Sequence, residues 1–171
     1  MLKPHVSSHD HVQGAADAPI TLVQYGDYEC SYCGRAYPIV KAVQKELGAR
    51  LRFVFRNYPL TQSHPHALHA AEVAEAAALH GKFWEMHDLL YQRQSALDDP
   101  HLLGYAKELG LDPEVIARDA SGDKVMAKIR GDVESGDASG VQGTPAFYIN
   151  GKALEGSWDH AALLHALNAA K

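Results

Sequence analysis

The chain contains two cysteines, Cys30 and Cys33, and they stand where a strand pattern gives way to a helix pattern. Before them, residues 20–25 form a β-branched and aromatic run that is typical of a buried strand. After them, apolar residues recur at helical intervals from Tyr32 to Leu47. One pair this close together cannot staple a small secreted scaffold, so the chain must fold around a hydrophobic core. The pair is then available for redox chemistry or for half of a metal site.

The residues after this junction complete a strand–helix–strand unit. The helix pattern runs from Ser31 to Gly48, which is a natural stop residue, and Pro38 inside it should kink the axis. Residues 51–56 alternate between apolar and polar side chains as a second strand does. A strand, a helix and a strand in this order predict a parallel βαβ unit.

The rest of the chain is first helical and then returns to strands. The predicted helices begin at Ser63 or His64 with Pro65, near Phe83, at Asp99-Pro100, at Asp112-Pro113 and around Val125. Residues 146–149 and 152–154 then flank Asn150-Gly151, which is a strong signal for a hairpin turn, and a last helix runs from about Trp158 to Ala169. The predicted fold is therefore of the α/β class, with the order βαβ, helical block, ββα.

Composition excludes some classes of function. The net charge of −5 argues against a protein that binds the nucleic-acid backbone, which needs a basic stripe. No apolar run approaches the ~20 residues that span a bilayer, so we expect no membrane insertion. The N-terminus lacks the apolar segment of a secretory signal. We therefore expect a cytoplasmic protein, or a periplasmic or secreted one if a leader has been removed.

The position of Cys30 at the start of a helix predicts a reactive thiol. The first-turn amides lack intrahelical partners and the helix dipole is positive there, so the thiolate is favoured. Cysteine pairs so placed show pKa values of ~3.5 to 7.5 instead of ~8.5. Cys33 lies one turn further in, where it should be shielded yet able to form a disulfide with Cys30. We predict that Cys30 is the nucleophile and that Cys33 resolves mixed disulfides.

Several short motifs together resemble a known superfamily. They are Cys-Ser-Tyr-Cys at 30–33, the phrase Tyr-Gly-Asp-Tyr-Glu-Cys at 25–30, His-Pro-His-Ala at 64–67 and Gly-Thr-Pro at 143–145. With the order of elements, they resemble the thioredoxin superfamily, and the helical block resembles that of the DsbA family of disulfide oxidoreductases. The resemblance covers roughly residues 15 to 170. It implies a protein disulfide oxidoreductase that needs no cofactor.

Residues 1–17 show no periodicity, and we expect a polar, His-rich lead in which His5, His9 and His11 are solvated. The resemblance implies how the rest of the chain is divided. Residues 18–61 are the N-terminal half of a thioredoxin-like fold, residues 62–120 are a helical insertion, and residues 121–171 hold a connecting helix and the C-terminal half.

Further site residues follow from the resemblance. Pro145 should follow a cis peptide bond beside the active disulfide, and the backbone of Thr144 should pair with substrate. Ser31 and Tyr32 should contact substrate as well. Tyr28, Tyr32 and Phe147 are expected to line the surface that receives apolar substrate chains.

Three positions depart from the family pattern. Ser31 stands where relatives usually have proline, Tyr32 where the periplasmic oxidant has an acidifying histidine, and Gln24 where a buried carboxylate is common. Gln24 cannot relay a proton, so Asp27, Glu29 or water must do so. We predict a pair less oxidising than the periplasmic enzyme, whose potential lies near −120 mV.

Other functions stay open on the residues alone. One alternative is a zinc-binding or redox-sensing module that holds metal through Cys30, Cys33 and histidines. Of the histidine cluster His64, His66 and His69, we expect capping and solvation and no metal. Another alternative is a glutathione-dependent isomerase or transferase on the same fold.

The expected partners are cysteine-containing protein substrates and a redox partner. That partner is either the thioredoxin/glutathione system or a membrane oxidase. Cytosol, at about −220 to −320 mV, keeps most dithiols reduced, so a cytoplasmic protein should act as a reductase or isomerase. Net oxidation becomes plausible if a leader has been removed.

Overall fold

The computed structural model describes residues 1–170 and has the predicted α/β class. The strands are β1 (His11–Gln13), β2 (Ile20–Gly26), β3 (Leu51–Asn57), β4 (Ala146–Ile149) and β5 (Lys152–Ala153). The helices are α1 (Ser31–Leu47), α2 (Ala67–Ala78), α3 (Phe83–Gln92), α4 (Asp99–Glu108), α5 (Pro113–Ala120), α6 (Asp123–Ser139) and α7 (His160–Ala169). Helices α2 to α6 lie between β3 and β4 in the chain.

The strands form one sheet in the order β1-β3-β2-β4-β5. Strands β2 and β3 pair in parallel, with Leu22 opposite Phe53, and α1 connects them, so the predicted βαβ unit is confirmed. Strand β4 pairs antiparallel with both β2 and β5. Asn150 and Gly151 have φ angles of 48° and 83°, the left-handed values that the predicted hairpin turn requires.

The side chains of β2 point alternately to the two faces of the sheet, and each face carries its own part of the core. Leu22 belongs to the larger cluster, which also contains Cys33 of α1 and residues of the helical block. Val23 and Tyr25 belong to a smaller cluster on the opposite face, together with buried Leu2. Since side chains alternate along a strand, Gln24 points to the same face as Leu22 and the cysteines.

The prediction that residues 1–17 are a polar, solvated lead is wrong in two places. Residues His11–Gln13 form β1, which pairs antiparallel with β3 and covers its edge. The amide of Leu2 donates to the carbonyl oxygen of Gly151 at 2.8 Å, and the Leu2 side chain is buried. The ring of His11 stacks on Phe83 with 3.6 Å between centroids. A strand of three residues is too short to show periodicity, so it depends on the free edge of β3.

Helix α2 begins at Ala67, later than predicted from Ser63, His64 and Pro65. The amide of His64 donates to the carbonyl oxygen of Leu60 at 2.9 Å, so this segment forms a turn before the helix. Its side chains and amides are used elsewhere in the fold, as described below.

Within residues 1–170, no helix has both the length and the apolar character that a membrane span needs.

Candidate active site

The two cysteines occupy the first turn of α1. Cys30 is the N-cap residue, with extended backbone, and its carbonyl oxygen accepts the first helical hydrogen bond from the amide of Gly34 at 3.0 Å. Both side chains are free thiols, and Cys30 is 5% exposed whereas Cys33 is fully buried. Only Cys30 can therefore meet a molecule from solvent.

The pKa of the Cys30 thiol is lowered to about 5, inside the range predicted from the sequence. The largest cause is a hydrogen bond from the Cys33 side chain, which favours the thiolate. Burial opposes this effect, while hydrogen bonds from the Thr144 side chain and from the backbone of Cys33 and Tyr32 support it. The neighbouring sulfur thus matters more than the helix-start amides on which the sequence argument depended.

The pKa of the Cys33 thiol is shifted in the opposite direction, well above its usual value. Burial is the main cause, and the interaction with Cys30 adds to it. At neutral pH the pair therefore holds one thiolate, at Cys30, and one thiol, at Cys33. This is the division that a nucleophile and a resolving thiol require.

Thr144 and Pro145 lie beside Cys30 although they are distant in sequence. Sγ of Cys30 lies 3.6 Å from the carbonyl oxygen of Thr144, to which it donates when it is protonated, and the Thr144–Pro145 peptide bond is cis. Pairing of β4 with β2 brings these residues to the start of α1.

The two residues between the cysteines face outward. Ser31 is exposed, and Tyr32 is 56% exposed. The guanidinium carbon of Arg35 lies 5.7 Å from the ring centre of Tyr32 and 5.7 Å from that of Trp158, so it joins the two rings. Tyr32 is thus presented as an aromatic surface next to Cys30.

A groove of about 280 Å³ runs beside Pro145. Gln142, Leu154 and Trp158 contribute to its lining. Phe147 also borders the groove, but this side chain is only 4% exposed and packs mainly in the core.

Tyr28 does not line the surface, and that prediction is wrong. The side chain is 1% exposed, with ring centroids 5.3 Å from Phe55 and 4.9 Å from Tyr91. Its hydroxyl is hydrogen-bonded to Nδ1 of His87 at 2.9 Å. Burial lowers the pKa of His87 well below its usual value, so this ring is neutral. Tyr28 therefore joins the first turn of α1 to the helical block from inside the core.

Gln94, which sequence reasoning missed, supports the cysteine loop. Its Nε2 donates to the carbonyl oxygens of Tyr28 and Cys30, at 2.9 and 2.7 Å. A Cβ at Gly34 would lie 2.2 Å from Oε1 of Gln94, so a side chain at residue 34 would displace the Gln94 amide from this position. Gln94 follows α3 in a loop with no recognisable pattern, and no signal in the sequence marks it.

A second missed feature is an ion pair between the buried carboxylate of Asp27 and the partly exposed ring of His64. Oδ2 of Asp27, whose side chain is fully buried, accepts from Nδ1 of His64 at 2.7 Å. The same carboxylate accepts from the amides of Glu29 at 2.8 Å and Leu60 at 2.9 Å. The hydrogen bond with Asp27 is the largest cause that raises the pKa of His64. The motif His-Pro-His-Ala was visible in the sequence, but its partner was not.

Gln24, which replaces the buried carboxylate common in the family, lies in the core. Gln24 is 2% exposed, and within residues 1–170 its Nε2 has no hydrogen-bond partner.

No group of three or more histidine, cysteine, aspartate or glutamate side chains among residues 1–170 could hold a metal ion. His64 and His69 pair with Asp27 and Asp99 instead. The zinc-binding alternative thus lacks further ligands in the described part of the chain.

Comparison with known sequences finds a thioredoxin family model that matches residues 7–169. Among curated proteins, the Na(+)/H(+) antiporter NhaA 1 of Salinispora arenicola is 43% identical over 170 residues, which cover 99% of this chain and 26% of the antiporter. The antiporter NhaA of Herminiimonas arsenicoxydans is 40% identical, over 100% of this chain and 27% of that protein. The chain therefore spans about a quarter of the length of the curated relatives it matches.

Comparison with solved structures finds similar folds of nearly equal extent. A thioredoxin-like oxidoreductase from Silicibacter pomeroyi has a TM-score of 0.85 at 28% identity, covering 95% of this chain and 92% of its own. BdbD from Bacillus subtilis has a TM-score of 0.84 at 23% identity, covering 94% and 91%. The thiol-disulfide exchange protein alpha-DsbA2 from Wolbachia pipientis has a TM-score of 0.82 at 21% identity, covering 93% and 86%.

Proposed function

Because the chain belongs to the thioredoxin family, we propose that it is a DsbA-like thiol:disulfide oxidoreductase that exchanges disulfides with cysteine-containing protein substrates. The observation that carries the proposal is that the pKa values of two thiols in one helical turn are shifted in opposite directions. The pKa of Cys30 is lowered to about 5, and that of Cys33 is raised. A thiolate leaves faster from a disulfide when its pKa is low. The pair is thus suited to transferring a disulfide.

In the oxidising direction, a substrate thiolate attacks Sγ of Cys30 in the Cys30–Cys33 disulfide. The S–S bond breaks, and Cys33 leaves with its electron pair and takes up a proton, in line with its raised pKa. A second substrate thiolate then attacks the substrate sulfur of the mixed disulfide and expels Cys30 as thiolate. The substrate loses two electrons and the pair gains them, and the reverse sequence reduces a substrate disulfide.

The groups around Cys30 provide the proposed substrate contacts. The Thr144 and Pro145 backbone lies outside the sheet, immediately before β4, where an extended peptide can pair with it. Ser31 and Tyr32 lie on the exposed side of the cysteines, and the groove beside Pro145 can receive an apolar side chain. Only Tyr32 of these side chains is largely exposed and aromatic, so we assign it the contact with substrate apolar groups.

The direction of disulfide exchange depends on the redox potential of the compartment in which the protein works. In the cytoplasm, the thioredoxin/glutathione system at about −220 to −320 mV would keep the pair reduced, and the protein would act as a reductase or isomerase. In an oxidising compartment, a membrane oxidase would regenerate the disulfide. The name antiporter belongs to relatives of which this chain matches only about a quarter. The proposed function therefore rests on the cysteine pair and not on that name.

The two remaining alternatives are weaker on the geometry. A glutathione-dependent transferase needs one thiol or hydroxyl, whereas here a second, buried thiol donates to the first. A metal module needs ligands beyond two sulfurs.

Insulin reduction in the presence of glutathione tests the proposal. The wild type should accelerate it, Cys30→Ser should abolish the acceleration, and Cys33→Ser should accumulate mixed disulfides with substrate because the resolving thiol is absent. A wild type without exchange activity, or a Cys33→Ser variant that captures no thiol substrate, would contradict the assignment.

A further inference from the structure

The carboxylate of Asp27 is a buried charge three residues before Cys30. Its side chain is fully buried, and in the part of the chain that the structure describes the cationic side chain bonded to it is the ring of His64. Two backbone amides, those of Glu29 and Leu60, complete its hydrogen bonds. A buried charge is costly unless it is paired. His64 therefore has a defined partner and a defined place.

Three hydrogen bonds hold the loop before α2 against the loop before α1. Asp27 accepts from Leu60 and His64, and Oε1 of Glu29 accepts from the amide of His66 at 2.9 Å. The amide of Cys30 in turn donates to the carbonyl oxygen of Asp27 at 3.2 Å. This clamp, formed by residues 27–30 and 60–66, brings a histidine of the helical block to the cysteine loop.

We propose that His64 is a positioning residue for the disulfide chemistry: its imidazolium, held by Asp27, neutralises the buried carboxylate next to Cys30 and stabilises the Cys30 thiolate. The inference rests on the proposed function, because it assigns a role in the chemistry of the same cysteine pair. It also explains how a Cys-x-x-Cys motif whose middle residues, Ser31 and Tyr32, carry no cation can still have a positive group nearby.

The charges around His64 favour the imidazolium. The groups that act on it are Asp27, Glu29 and Cys30, and all three raise its pKa, with Asp27 the largest. Burial opposes them, although the side chain is 25% exposed and keeps access to solvent. Without the imidazolium, the negative charge of Asp27 would be left without a cation three residues before Cys30.

Coupling between two titrating groups is reciprocal. If the His64 charge stabilises the Cys30 thiolate, the thiolate must stabilise that charge to the same extent. The thiolate is present in the dithiol form and absent in the disulfide form. The pKa of His64 should therefore be higher when the cysteine pair is reduced.

The first experiment measures this coupling in the unmodified protein. NMR titration of the histidine rings is carried out on the disulfide and dithiol forms, with His80 as internal control, because it forms a similar pair with Asp119. We expect the His64 pKa to be higher by about one unit in the dithiol form and that of His80 to be unchanged. An equal His64 pKa in both forms would overturn the inference.

The second experiment compares His64→Gln with the matched variant His80→Gln. Thiolate absorbance at 240 nm against pH gives the pKa of Cys30. We expect His64→Gln to raise it by about one unit, which lowers the thiolate fraction at pH 5 about fivefold, and His80→Gln to leave it unchanged. A folded His64→Gln variant with an unaltered Cys30 pKa would contradict a role in thiolate stabilisation.

A double-mutant cycle separates charge from structure. In Asp27→Asn no carboxylate needs compensation, so adding His64→Gln should raise the Cys30 pKa less than it does in the wild type. An equal effect in both backgrounds would count against the neutralisation mechanism. If His64→Gln does not fold, the NMR titration still decides the question.

The two proposals fail in different ways. A Cys30 that reacts like an ordinary cysteine and exchanges no disulfides would refute the proposed function. If Cys30 is reactive and the protein exchanges disulfides, but the His64 pKa is the same in the disulfide and dithiol forms, only the role of His64 is refuted.

Discussion

Removal of the Cys33 thiol tests the origin of the reactive sulfur. The hydrogen bond from Cys33 is the largest cause that lowers the pKa of Cys30 to about 5. Cys33→Ala deletes this donor, whereas Cys33→Ser replaces it with a hydroxyl donor at the same position. Neither variant can form the disulfide, so the two differ mainly in whether the Cys30 thiolate receives a hydrogen bond.

The magnitude follows from the strength of a hydrogen bond to a charged group. Such a bond contributes about 1.5–3 kcal/mol, which corresponds to about 1–2 pKa units. We therefore expect a pKa of about 6–7 for Cys30 in Cys33→Ala. In Cys33→Ser the value should stay within about one unit of the wild type. The Thr144 hydroxyl and the backbone amides remain, so the pKa should not return to that of a free thiol.

Alkylation by iodoacetamide at pH 5.5 is the most sensitive assay. A thiol of pKa about 5 is about 76% ionised there, and one of pKa about 6.5 is about 9% ionised, an eightfold difference in reactive thiolate. Absorbance at 240 nm against pH gives the pKa directly, and circular dichroism checks that the variants fold. If Cys33→Ala keeps the wild-type pKa, the helix-start amides rather than the neighbouring thiol cause the shift, and the reasoning is refuted.

Three further predictions concern redox potential, packing and pH dependence. Two reference proteins bracket the redox potential of this pair: thioredoxin, with a cysteine pKa of about 7 and a potential of about −270 mV, and DsbA, with about 3.5 and about −120 mV. At about 30 mV per pKa unit of thiolate stabilisation, a pKa of about 5 places the potential between about −210 and −165 mV. Equilibration with glutathione measures it, and a value near −120 mV would show that a pKa of about 5 does not limit the oxidising power. Gly26→Ala should destabilise the fold by about 1–3 kcal/mol in urea, because its Cβ would lie 2.5 Å from Cε2 of buried Phe55. Gly104→Ala, in α4 with nothing within 4 Å of the added atom, should be neutral or stabilising by up to about 1 kcal/mol, and equal losses in both would contradict the packing argument. The pKa of His64 is raised in the fold, so its pairing stabilises fully below the unfolded value of 6.5 and less as pH rises through the folded value. His64→Gln should therefore cost more stability at pH 6 than at pH 9, and a cost that does not change with pH would contradict the ion pair.

Local patterns predicted most of the elements that carry the cysteines. Some patterns depend only on neighbours within a few positions and can be recognised in the sequence. They are the apolar runs of β2 and β3, the spacing of apolar residues in α1 and the turn residues Asn150 and Gly151. The pairing of β2 with β3 followed from their connection through one helix. The hydrogen bond between the cysteine side chains is local as well, since both sulfurs lie in the same helical turn.

The remaining features needed the folded molecule. Strand β1 exists because β3 leaves an edge to be covered, and α2 begins late because His64 bonds to Asp27, 37 positions away. Thr144 reaches Cys30 from 114 positions away through the pairing of β4 with β2. Burial, which separates the pKa values of the two cysteines, depends on side chains from many parts of the chain. The identity of the reactive pair is thus a matter of short-range spacing, whereas its charge state and its surroundings depend on contacts that form only when distant segments pack together.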